Sequence, residues 1–251
     1  MKNILEIKNL DYKDIISNLN VSIEKNKIYS ISGSNNSGKT TLIRILKREI
    51  TSNNSIFISD KDISKYQIHE LKKLIQGVIP LEVKFIKNTL LEELEISSNK
   101  KQIDYLTSNL KVKGLLKKKI NTLTKEEIVL GQILIALSTK PKILLLDSVS
   151  NYLSKKKLEE LFKFLKITKT TVILTTNNLE DALLTDYLYI LNEGSIALEG
   201  NTMEVLEKDN ILNKLGLRLP FMVDLSVKLK DYDLIKDIEL NKNRMVDILW
   251  K

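Results

Sequence analysis

Apolar and polar positions alternate over residues 4–10 and 19–23, as they do on strands with one covered face. Lys27 to Ser32 (KIYSIS) reads as a buried strand. It runs into the polar loop GSNNSG and then into a helical stretch from Lys39 to Glu49. Residues 55–59 predict a short strand, 64–76 a helix and 77–80 another strand. From about 88 to 137 the apolar spacing turns helical under a charged surface, which predicts a helical insertion, taken with its lead-in as about 82–137. Lys142 to Leu146 (KILLL) is a buried strand ending at Asp147, and residues 154–166 form an amphipathic helix. Thr170 to Thr175 is a further buried strand, and a helix starts over 178–184. Tyr187 to Leu191 and Ser195 to Leu198 pair as a hairpin through Asn192-Glu193-Gly194. Strands alternating with helices imply an α/β fold with a mostly parallel sheet. A main domain over 1–215 is followed by a small separate appendage over 216–251, opened by GLRLPF. There is no internal repeat and no low-complexity linker.

Composition narrows the class. The 251 residues suit one large α/β domain with a small addition, and a hydrophobic fraction of 43% supports a sizeable core. With no cysteine there is neither a disulfide framework nor a thiolate metal site. The start, MKNILEIKNL, interleaves charge with apolar residues and does not read as a secretory signal. Apolar runs such as Ile143 to Leu146 are far too short to cross a bilayer. The formal charge of +8 would suit nucleic acid or an anionic membrane face, or simply a solvated lysine surface.

The chemistry concentrates in one loop. Gly33-Ser34-Asn35-Asn36-Ser37-Gly38-Lys39-Thr40 fits G-x-x-x-x-G-K-[ST], between a predicted strand and a predicted helix as that motif requires. Backbone N–H groups of such a loop wrap phosphate oxygens, and the following helix aims its N-terminus at them. Gly33 and Gly38 permit backbone approach that a Cβ would block, and Asn36 tolerates a left-handed backbone nearly as well as glycine. Lys39 brings a compact positive charge to the β and γ phosphates, and Thr41 follows in the first helical turn. The Thr40 hydroxyl suits Mg²⁺, with Asp147 at a neighbouring strand tip as the second metal-side group. On its own, Asp147 also fits a plain strand-to-helix cap.

The order of these elements resembles the ABC-type ATPases. Leu123 stands 18 positions before Pro141, as the family's signature leucine precedes its Pro-x-Ile-Leu-Leu-Leu-Asp segment. Asp186 through Gly194 to Gly200 and Val205 is similar to the family's closing stretch. Gly216 to Phe221 (GLRLPF), Asp224-Leu225 and Leu229 resemble the appendage of energy-coupling-factor (cobalt and vitamin importer) ATPases. The resemblance implies a P-loop NTPase of ABC type, with an antiparallel β subdomain beside the parallel core, a helical insertion and a C-terminal appendage. It implies ATP and Mg²⁺ as ligands and a head-to-tail pair with a second ABC-type ATPase subunit, each ATP held between one P-loop and the other subunit's signature. A transmembrane coupling protein and a substrate-capturing membrane protein are the further partners implied, which places the chain peripherally on the cytoplasmic membrane face.

Departures from the family pattern cluster in the hydrolytic set. The catalytic glutamate position holds Ser148, which cannot act as a carboxylate base; losing such a group costs about 10²–10⁴-fold in rate. The switch-histidine position holds Asn177, which cannot carry positive charge. The signature Leu-Ser-Gly-Gly-Gln reads Leu123-Thr124-Lys125-Glu126-Glu127, with carboxylates where a partner's γ-phosphate would approach and Lys125 as a partial offset; without its register it would be a helix capping box. Leu81 replaces the metal-contacting glutamine, and Ser154 replaces an aspartate after Leu153. The adenine-stacking aromatic falls on Tyr12, with Asp14 as the alternative register. His69 reads as an ordinary surface residue. The expected role is therefore the catalytically degenerate half of an ATPase heterodimer, in which binding outlives hydrolysis. Two other readings stand beside it: an active ATPase using Glu180 or Asp181, and a soluble ATP-switched protein on nucleic acid. No basic-aromatic stripe supports the last of these.

Overall fold

Two-residue periodicity builds the first layer. In the computed structural model, which describes residues 3–52, 56–82 and 85–250, strands β1 (Asn3–Tyr12) and β2 (Ile16–Glu24) form an antiparallel hairpin with Leu5 opposite Ile23 and Ile7 opposite Val21. Met1, Lys2, Ser55 of the expected strand, and Val83 and Lys84 of the expected insertion lie outside the described residues. Strand β3 (Ile28–Ser32) is buried along its whole length and delivers the chain to α1 (Lys39–Leu46). Strands β4 (Ile56–Ile58) and β5 (Lys61–Asp62) complete a four-stranded antiparallel sheet in the order β2-β1-β4-β5.

The helix expected over 64–76 divides. A short turn at 63–65 precedes α2 (Ile68–Leu74), and β6 (Ile75–Val78) begins two residues before the expected 77. The reason is pairing: Ile75 registers against Ile143 of the neighbouring strand, and the ladder takes those residues from the helix. The charged region supplies α3 (Leu90–Glu95), α4 (Lys100–Asn109) and α5 (Lys125–Ser138). Then come β7 (Ile143–Asp147), α6 (Lys155–Ile167), β8 (Thr171–Thr176) and the short α7 (Leu179–Ala182). Strands β9 (Tyr187–Asn192) and β10 (Ser195–Asn201) turn through Glu193 and Gly194, both at positive φ (46° and 79°), the two-residue turn whose twist suits a hairpin.

The second sheet has the order β10-β9-β3-β8-β7-β6, parallel except for β10. Its two faces divide by residue parity. Tyr29, Ile31, Ile143, Leu145 and Ile173 face α1 and the antiparallel sheet, while Ile28, Leu144, Leu146, Val172 and Leu174 face α3 to α6. Both faces are covered, which is why these strands read as unbroken apolar runs. The last segment adds α8 (Thr202–Leu206), α9 (Asp209–Lys214), α10 (Phe221–Asp231) and α11 (Lys242–Leu249). The tail is less separate than expected: Leu217, Val223 and Val227 share one apolar cluster with Leu188, Ile190 and Val205 of the main body. Among the described residues no helix is long and apolar enough to cross a membrane.

Candidate functional site

Three strand ends of the parallel sheet, β3, β7 and β8, meet at one edge, where strands of an open α/β sheet leave a crevice. There Gly33 to Gly38 arches between β3 and α1 and borders a cleft of about 700 Å³. Asn35 to Thr41, Ile15 and Ser148 line it. A Cβ on Gly33 would stand 2.2 Å from the Leu191 carbonyl oxygen and 2.8 Å from Ser37 Oγ, so no other residue fits without moving backbone. Asn36 takes φ of 64°, the left-handed conformation that asparagine tolerates.

Lys39 is buried and reaches back across its own loop. Its Nζ donates to the Gly33 carbonyl (2.9 Å), the Ser34 carbonyl (2.7 Å) and Ser37 Oγ (3.1 Å). Burial pushes its pKa down, and the negative charge of Asp147 works against that. The loop therefore holds its cation by neutral oxygens, which an arriving anion can outcompete. Thr40 is exposed at the cleft.

Asp147 closes β7 and is almost fully buried; it accepts a hydrogen bond from Thr175 Oγ1 of the adjacent strand. Ser148 follows at φ of 51°, with its N–H donated to the Thr175 carbonyl at 3.0 Å. Its hydroxyl lies 3.4 Å from Asp147 Oδ1. The position expected to hold a catalytic carboxylate is thus in the cleft and carries a hydroxyl. Asn177, just past β8, donates from Nδ2 to Asn35 Oδ1 at 3.3 Å, so the switch position touches the tip of the phosphate loop.

The expected stacking aromatic lies at the end of the first strand. Tyr12 closes β1 and packs against the core of the antiparallel sheet, with Lys13 Nζ 5.3 Å from its ring centre. Ile15, in the β1–β2 turn and 40% exposed, lines the cleft. Asp14, the alternative register, is not among the lining residues. An aliphatic residue in a tight turn carries no motif, so nothing in the sequence pointed to it.

Leu123 to Glu127 sit apart from this cleft, at the start of α5. Leu123 is buried, and Thr124 caps the helix by accepting from the Glu127 N–H (3.2 Å) while the Glu127 carboxylate accepts from the Thr124 N–H (2.9 Å). Lys125 is exposed. The two acids are less free than expected. Glu127 pairs with Lys118 at 2.6 Å, and that bond first, with the Thr124 N–H second, holds its carboxyl below the usual range. Glu126 Oε1 accepts from the Ser154 N–H (2.7 Å) and Oγ–H (2.8 Å), which ties the signature segment to the start of α6.

The alternative acids are placed elsewhere. Asp181 is buried and accepts from Thr176 Oγ1 at 2.6 Å; Glu180 accepts from the Phe221 N–H at 3.3 Å. Neither lines the cleft. Leu81 lies in the turn after β6 at φ of 65°, and His69 is exposed on α2.

Comparison with known proteins bears on this arrangement. The ABC transporter family model matches residues 16–151. The energy-coupling factor transporter ATP-binding protein EcfA1 of Oenococcus oeni is 28% identical, over 99% of this chain and 98% of its own. The protein of the same description from Mesomycoplasma hyopneumoniae is 25% identical over 94% of this chain and 91% of its own. In structure, the chain is similar to CbiO1 of Clostridium perfringens, described as part of the ABC transporter complex CbiONQ: TM-score 0.74, 22% identity, 90% of this chain and 99% of that one. It is also similar to a dimeric ATP-binding cassette in a post-hydrolysis state with ADP and Pi (TM-score 0.68, 20% identity, 79% of this chain and 98% of that one).

Proposed function

Because this chain belongs to the ABC transporter family, as an ATP-binding subunit, we propose that it serves an energy-coupling-factor-type importer as the catalytically degenerate half of an ATPase heterodimer. The carrying observation is the contrast inside one cleft: a complete phosphate loop with Lys39 in place, and Ser148 where a carboxylate is needed.

The residues present fit ATP with Mg²⁺. Gly33 lets the loop close against the Leu191 carbonyl and Ser37, where a Cβ would not fit, and Gly38 to Thr41 open α1 toward the cleft. Among the described residues no cluster of three Asp, Glu, His or Cys side chains could hold a metal, so Thr40 and Asp147 would hold Mg²⁺ together with phosphate oxygens. When bound, Mg²⁺ supplies positive charge that offsets the β and γ phosphates. Lys39 adds a second positive charge, and Asn177, anchored on Asn35, can donate a neutral hydrogen bond at the same place. None of these groups takes a proton from water. The Ser148 hydroxyl is not basic enough, and Glu180 and Asp181 are engaged away from the cleft.

On this reading the partners are a second ABC-type ATPase subunit carrying a glutamate at the strand end, a transmembrane coupling protein and a substrate-capturing membrane protein. The chain then sits peripherally on the cytoplasmic membrane face. ATP binding and phosphate release, measured separately on the purified chain and on Ser148→Glu, test the proposal. Wild type is expected to bind ATP and release little phosphate, and Ser148→Glu to raise release at unchanged binding. Brisk wild-type release that Ser148→Ala slows would overturn it, as would recovery from membranes without a second ATPase or a polytopic protein.

A further inference from the structure

The opposite edge of the parallel sheet carries a second cleft, of about 420 Å³, within the size range of small-molecule sites. It lies where β3, β7 and β8 begin, so a strand of five residues, about 16 Å, separates it from the nucleotide cleft. Lys25, Lys140, Lys142 and Lys169 line it, and no Asp or Glu does. Among the described residues, none of the four lysines joins an ion pair, although ten other Lys or Arg side chains do. Tyr105 and Phe164 form one wall, their rings 5.9 Å apart and tilted, with Tyr105 47% exposed and free to stack.

Helix-end electrostatics explains only part of this charge. Lys140 and Lys169 follow the ends of α5 and α6, where a cation complements the last carbonyls. Two helix C-termini amount to about one negative charge in total, at about half a charge each. Four lysines exceed that by about three, and Lys25 and Lys142 precede strands, where no helix end calls for them. A concave, uncompensated cationic site beside an exposed ring selects an anion with several charges and a flat group.

We propose that this cleft binds a soluble phosphate-bearing small molecule of the nucleotide class, at a site separate from the phosphate loop. It sits on the strands that end at Asp147 and Thr176, and it is independent of whether the other cleft hydrolyses ATP.

Backbone amide NMR on the full chain, titrated with inorganic pyrophosphate, separates the two sites. Saturable shifts are expected at Asn26, Lys142 and Lys169, distinct from any set at Gly33 to Thr40. Lys142→Gln combined with Lys169→Gln should weaken the first set at least ten-fold and leave the second set unchanged, which also reports that the variant is folded. Shifts confined to Gly33 to Thr40, or a first set equally strong in the double variant, would overturn the proposal. Lysine-dependent binding to phosphatidylglycerol vesicles with no pyrophosphate shift in the first set would overturn it in favour of a membrane-facing patch.

Discussion

Replacing Gly33 by alanine puts one methyl group where the structure leaves least space. The new Cβ would meet the Leu191 carbonyl oxygen at 2.2 Å and Ser37 Oγ at 2.8 Å, against about 3.5–4.0 Å for a comfortable contact. Ser37 can rotate, but the Leu191 carbonyl is backbone of β9, paired there with Ile196 of β10, and cannot yield without moving that strand. Overpacking of this kind costs about 1–3 kcal/mol. In a chain of this size each kcal/mol moves Tm by about 2–4 °C, so Gly33→Ala should melt about 2–12 °C lower. The loop must also open, which removes the phosphate cradle. ATP at about 100 times its Kd should stabilise wild type by about 2.7 kcal/mol, or about 5–11 °C, and the variant by close to nothing. Gly114→Ala is the control, since its Cβ would meet nothing within 4 Å. Thermal melts of the three proteins with and without ATP and Mg²⁺ suffice. A Gly33→Ala protein that melts with wild type and keeps the full ATP shift would refute the claim that this loop is a phosphate cradle.

Lys39→Met should lower ATP affinity by at least about 100-fold, because charged hydrogen bonds of about 1.5–3 kcal/mol each to phosphate oxygens are lost; equilibrium binding measures it. Ile15→Ala should weaken ATP binding more than Tyr12→Ala, since Ile15 alone of the two lines the cleft; a larger effect of Tyr12→Ala in the same titration would support the aromatic assignment instead. The Lys118–Glu127 pair lowers the Glu127 pKa, so its stabilisation is complete above the usual carboxylate value near 4.5 and is lost as pH falls through the lower folded value. Wild type minus Lys118→Met stability should therefore shrink in acid; the pair is partly exposed, so the difference at neutral pH should be about 0.2–1 kcal/mol, read from melts across pH.

What the sequence determined by itself is whatever lies in consecutive or regularly spaced residues. The phosphate loop is eight neighbours in a row between a strand and a helix, and the buried strands carry their two faces as alternate residues. Those signals survive because backbone geometry fixes them locally. The αL conformation of Asn36 and the substitutions at Ser148 and Asn177 were legible for the same reason. Tertiary structure alone decided which distant groups meet. It set Asn177 against Asn35, 142 positions away, and tied Glu126 to Ser154, 28 positions on. It also brought Ile15 to the cleft, ended α2 early so that Ile75 could pair with Ile143, and drew the tail onto the main core. Four lysines from two strand starts and two helix ends became one pocket only because β3, β8 and β7 are neighbours in the sheet. Strand order is set by packing of both faces at once, a property of the whole chain that no window of residues contains.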